Sequence, residues 1–131
     1  MNRGALVDHP DMIEGARLFH ASRFWDAHEA WERVWIVEKK GPRGHFVQGL
    51  IQLAASLHKL IEMRVPPNAR RLAIRAKEKL SEYPDDYEGF ALGELRTAID
   101  ALIAAIARVE LGAAFDTRAV PRIRARDRDL A

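Results

Sequence analysis

Residues 24–35, from Phe24 to Trp35, read FWDAHEAWERVW. All three tryptophans of the chain lie in this stretch, and no glycine or proline interrupts it. At 100° per residue Phe24, His28, Trp31, Glu32 and Trp35 fall on one helix face, with Trp25 at its edge. A helix normally turns such a face to the core. Here the face carries an imidazole and a carboxylate at i and i+4, close enough to share a proton or an ion. Further on, residues 46–62 read FVQGLIQLAASLHKLIE, an apolar helix with Gln48, Gln52 and His58 set among its leucines.

Gly41-Pro42 separates the two helices, and a connection this short makes antiparallel neighbours. Pairing positions of equal height about that turn puts Gln52 near Trp31 and Glu32, and Ala55 and Ser56 near His28. It puts Gln48 near Trp35, and His58 near Trp25. The expectation is a polar cluster of His28, Glu32, Gln48 and Gln52 buried between helices two and three. Tryptophan would wall it, with Glu29 and His58 at its margin.

The remaining chain extends the same pattern. Residues 1–7 read as a loosely attached start. Asp8 or Asp11 is the expected cap of a first helix that runs to about His20, with Pro10 in its first turn. Ser22 is the expected cap of the second, which runs to about Glu38. A third helix is expected over residues 45–63, a fourth over 69–82 after Val65-Pro66-Pro67-Asn68, and a fifth over 91–111, ended by Gly112. The arginines and lysines of the fourth helix read as a solvated face. No strand pattern or internal repeat is seen. The fold expected is all-α, a compact bundle of five helices with short loops. Residues 1–115 form its single domain. Residues 116–131 are an arginine-rich arm or tail, with Phe115, Val120 and Ile123 as anchors.

Bulk properties narrow the function. A chain of 131 residues can bury one real core. It has no cysteine, which excludes disulfides, thiolate metal sites and cysteine nucleophiles. No apolar run approaches the ~20 residues needed to span a bilayer, and the start lacks a signal-peptide centre. A soluble, cytoplasmic protein is expected, with no membrane partner. The net charge is +2, and all of it comes from residue 116 onward. A neutral bundle argues against nucleic acid as a partner.

The polar cluster admits three chemistries. It is first a satisfied network, in which His28 and the glutamines pair a buried Glu32 and fix helix register. It is alternatively a metal site centred on His28 and Glu32. The run His28-Glu29-x-x-Glu32 departs from the zinc-protease pattern, because the second histidine is Glu32. Carboxylate-bridged di-iron bundles need more acids and a Glu-x-x-His spacing that is absent here. Thirdly, His28, Glu29 or Glu32 is a candidate acid or base beside aromatic walls. No phosphate loop, nucleophile elbow or dinucleotide fingerprint accompanies them. No cofactor is required, and a divalent metal is the one that would fit. A structural or interaction module is the leading expectation. Self-association through the apolar faces of helices four and five is the partner it suggests.

The stretch from Phe19 through FWDAHEAWERVW, then Gly41-Pro42, then FVQGLIQLAASLHK resembles domain-of-unknown-function family 309. The resemblance covers about residues 16–60, and the loop from Tyr83-Pro84 to Gly89 is compatible with it. It implies an all-helical bundle with an unassigned biochemical role. The family's recurrent positions fall on His28, Glu29, Glu32, Trp35, Gln48, Gly49 and Gln52. The arginine-rich tail departs from the family pattern.

Overall fold

The computed structural model describes residues 4–130. Five α-helices carry the fold: α1 (Pro10–His20), α2 (Phe24–Glu38), α3 (Pro42–Leu57), α4 (Pro66–Leu80) and α5 (Leu92–Glu110). Each packs against the next in sequence. Ion pairs report the antiparallel order. Arg33 of α2 reaches back to Asp11 of α1, His45 at the start of α3 meets Glu82 just past α4, and Arg70 of α4 meets Glu110 at the end of α5.

The central helix is α3, which buries residues on most of its surface, from Gly44 and Phe46 to Leu57. Its Ser56 is the one fully buried polar side chain among the described residues. The hydroxyl donates to the Ala69 carbonyl at 2.7 Å and so satisfies itself against α4. The last turn of this rod, His58–Glu62, is π-helical. Turns of this kind insert one residue into the helical ladder and are frequent at functional sites.

Local chemistry moved several helix ends. Pro42 and Pro66 stand at the first positions of α3 and α4, so both helices start three residues earlier than expected. The cap of α1 is neither Asp8 nor Asp11 but His9, whose Nδ1 accepts from the Asp11 N–H at 3.0 Å. Ser22 caps nothing. It turns the chain between α1 and α2 at φ 62°, and the side chain of Arg23 bonds Asp26 of the first turn instead. Of the loosely attached start, residues 1–3 lie outside the described residues. Leu6 and Val7, however, form a 3₁₀ turn with 0% and 4% of their surface exposed, so the start belongs to the core.

Gly15 decides how close α1 and α2 come. A Cβ there would stand 2.1 Å from Trp31 Nε1, so only glycine lets the indole lie flat against α1. Gly89 does the same in the loop before α5. At φ 86° it takes a left-handed conformation, and a Cβ would meet Val7 Cγ1 at 2.5 Å.

Residues from Phe115 onward pack as an arm. Ile123, Ala125 and Leu130 are buried in the bundle core. Against the expectation of no strands, the arm folds a two-residue hairpin, β1 (Arg124–Ala125) with β2 (Arg128–Asp129). His20 Nε2 accepts from the Ile123 N–H at 2.9 Å, and Arg128 reaches Asp8 at 2.7 Å. The arm thereby ties the end of the chain to its beginning.

Candidate functional site

The buried side of α2 is Phe24, Ala27, Ala30, Trp31 and Val34. That stripe divides the expected face. Trp31 is fully buried, and its Nε1–H donates to the Met12 carbonyl at 3.2 Å, so its indole packs on α1. It does not wall a cluster between α2 and α3, as the height pairing had placed it. His28 and Glu32 lie on the shoulder of the helix, where α2 meets both α3 and solvent.

His28 Nδ1 and Glu32 Oε1 are 2.7 Å apart, with side chains 16% and 44% exposed. The i, i+4 spacing brings them together as expected. Their exposure corrects the expectation of burial: Glu32 is a half-exposed carboxylate, and no buried charged cluster exists among the described residues. The contact also lacks hydrogen-bond alignment, so Nδ1 keeps no true acceptor. Neither Gln48 nor Gln52 bonds Glu32. Gln52 Oε1 is buried and has no hydrogen-bond partner among the described residues.

Trp25 organises what is left. Its indole stacks on the His28 ring at 4.6 Å and 9°, and it contacts the His58 ring at 5.1 Å and 42°. The height pairing had put His58 opposite Trp25, and the rings do meet there. His58 opens the π-helical turn, and its Nδ1 is also buried without a partner. Trp25 remains 49% exposed, as a fully apolar ring would not in a closed core. With Ala55, His58, Lys59 and Met63 it lines an open groove of about 460 Å³. Ala55 is the smallest side chain of that lining and leaves room beside the indole.

The remaining expected residues stand apart. Glu29 is exposed on the outer side of α2. Trp35 is half-buried near the other end of α2, with Lys39 Nζ 5.8 Å from its ring centre. Gln48 is half-buried on α3. Among the described residues no three His, Asp or Glu side chains converge as metal ligands, so His28 and Glu32 lack a third donor. Lys59 and Met63 escaped the sequence reading. Their signal was the spacing: Ala55, His58 and Lys59 stand at i, i+3 and i+4, which share one helix face.

A second polar knot joins the loops. Arg43, with its side chain 16% exposed, meets Glu38 at 3.4 Å and Glu88 at 3.0 Å. Beside it Tyr83 donates to the Pro42 carbonyl at 2.6 Å and packs on Tyr87 and Phe46. Burial pushes the Tyr83 phenol up to about 12.

With this geometry established, known proteins can be compared. Residues 12–72 match the family described as Domain of unknown function (DUF309). Over these residues the chain is similar to the DUF309 family. The match holds α1, α2, α3, the π turn and the first half of α4. Every residue of the Trp25 groove therefore lies inside the DUF309 segment, and α5 and the arm lie outside it. An uncharacterized protein of Aquifex aeolicus (strain VF5) is 28% identical over 90 residues. The aligned part is 69% of this chain but only 27% of that relative. No helix of the described residues is long and apolar enough to cross a membrane.

Proposed function

We propose that this chain is a soluble helical interaction module, and that its contact surface is the groove around Trp25. The observation that carries the reading is a half-exposed indole held between two imidazoles over an open apolar groove. Half-exposed tryptophans in such settings are favoured anchors for a partner's side chain. Met63, also exposed, extends the apolar surface beside it. The partner chemistry this suits is an aromatic or long aliphatic side chain laid against Trp25 and Met63. The Aquifex relative supports the word module, because the shared segment is a minor part of a much longer chain. His28 stacks on Trp25 and pairs with a half-exposed Glu32, which is not the arrangement of a buried register-fixing network.

Selection from a random peptide library tests this. Peptides with an aromatic or aliphatic anchor should be enriched on the native protein and on Ile36→Ala, and lost on Trp25→Ala. Equal retention on Trp25→Ala would refute the groove. Sedimentation of the same variants tests a second copy as the partner: a dimer dissolved by Trp25→Ala would place the self-contact here rather than on α4 and α5.

The 2.7 Å contact of His28 with Glu32 favours the second reading, metal binding or acid–base chemistry on these two residues. Near-stoichiometric metal in untagged protein purified without chelator, lost in His28→Ala, would establish it over the first.

A further inference from the structure

We infer that the chain carries a site for a phosphate monoester between the α1–α2 turn and the C-terminal arm. The inference is independent of the Trp25 groove. The arm holds five arginines, and four of them are neutralised by carboxylates. Arg118 pairs with Asp116, Arg124 with Glu94 and Asp129, Arg126 with Asp86, and Arg128 with Asp8 and Asp127. Arg122 is the exception. Among the described residues it makes no ion pair and no side-chain hydrogen bond, though its charge helps hold the Asp129 carboxyl below its usual value.

Arg122 lines a hollow of about 440 Å³ together with Arg118 and the hydroxyls of Ser22 and Thr117. Neither hydroxyl has a hydrogen-bond partner among the described residues. Ser22 is held at φ 62°, a conformation costly for a residue with a Cβ, at the α1–α2 turn beside the arm. Phe19 and Ile61 supply apolar floor, and no acidic residue lines the hollow. His20, also at the wall, fixes the arm by accepting the Ile123 N–H.

These features select the ligand. The Arg122 guanidinium, with no carboxylate partner, and two free hydroxyls all donate to oxygen, and Arg118 adds the N–H groups that its pairing with Asp116 leaves over. A planar carboxylate offers two oxygens, whereas the three terminal oxygens of a phosphate monoester use all four donors. The apolar floor takes the organic group of the ester. The expected ligand is therefore a small phosphate ester with an apolar body.

Phenyl phosphate is the probe, titrated into ¹⁵N-labelled protein at constant ionic strength, with benzoate and phenol as comparison ligands. Saturable shifts are expected at the amides of Ser22, Thr117, Arg122 and Ile123. Arg122→Gln should weaken binding about tenfold, the loss of one charge-assisted contact. Arg128→Gln removes the same charge from a paired arginine and should leave binding within about twofold. Arg122 is exposed and its replacement should fold. Thr117→Val serves as the second variant, and a lowered affinity there also supports the site. Absence of a saturable shift by about 10 mM would overturn the inference. So would equal losses in Arg122→Gln and Arg128→Gln, which mean diffuse charge. Tighter binding of benzoate would overturn the assignment to phosphate.

Discussion

Replacing His28 by alanine separates a surface site from a core network. The structure fixes the terms. The i, i+4 contact with a carboxylate that is 44% exposed is worth about 0.3–0.5 kcal/mol. Stacking on a half-exposed Trp25 adds about 0.5 kcal/mol, the low end for ring pairs. Packing lost from a mostly covered imidazole is on the order of 0.5–1 kcal/mol. Alanine returns about 0.6 kcal/mol as the better helix former. The net loss is then about 1 kcal/mol. A chain of 131 residues unfolds with an entropy of about 275 cal/mol/K, so Tm should fall by roughly 4 °C. Had Glu32 been buried and left unpaired, the loss would be about 2–4 kcal/mol and the shift roughly 7–14 °C. Far-UV circular dichroism melts, paired with urea unfolding to check the slope, measure the difference. A loss above about 2.5 kcal/mol would show that Glu32 depends on His28 as a buried charge would, and the surface assignment would fail.

Three further outcomes follow from the packing and the loops. Gly15→Ala drives a Cβ into the Trp31 indole and should cost about 2–3 kcal/mol after the gain in helix propensity, with a red-shifted tryptophan emission. A melting temperature at or above that of the native protein would contradict the flat contact of α1 on Trp31. Ile123→Ala should cost about 2–4 kcal/mol, because Ile123 is 1% exposed, and a change below about 0.5 kcal/mol would mean the arm is not docked. Phenolate absorbance should show Tyr83 ionising near about 12, with Tyr87 also above the ordinary range. The folded protein then holds these protons more tightly than the unfolded chain. Stability is full below the ordinary tyrosine value of about 10 and falls as pH rises through about 12. Both phenols titrating at the ordinary value would refute the packing of Tyr83 against Phe46 and Tyr87.

The helices were legible because their apolar periodicity is long and their breaks carry Gly or Pro. Which face of α2 is buried was not, and the reason is physical. A helical wheel weighs the large rings of Phe24, Trp31 and Trp35, but helices approach most closely over small residues. Ala27 and Ala30, both fully buried, set the contact and swing His28 and Glu32 out to the shoulder. The meeting of Trp25 with His58 was legible from helix rise alone, since the Gly41-Pro42 turn fixes the register. The π turn at His58–Glu62 leaves no mark in composition. The arm was partly legible: Ile123 reads as an apolar anchor, but strands of two residues are too short to alternate. Ser22 shows the limit of a local rule. It has the chemistry of a helix cap, yet the turn needed a residue at positive φ, and the backbone decided.

The contact of Arg128 with Asp8 spans 120 residues of chain. Asp8 is synthesised 120 residues before Arg128, so the five helices can pair with their neighbours while this contact has no partner to meet. Ordering of the early helices is thus local and fast, and the clasp of arm on first turn is the late, long-range step. The same geometry governs mechanical load. A force applied between residues 4 and 130 falls first on the hairpin and the Arg128–Asp8 pair, and it leaves α2 and α3 shielded until that clasp has parted.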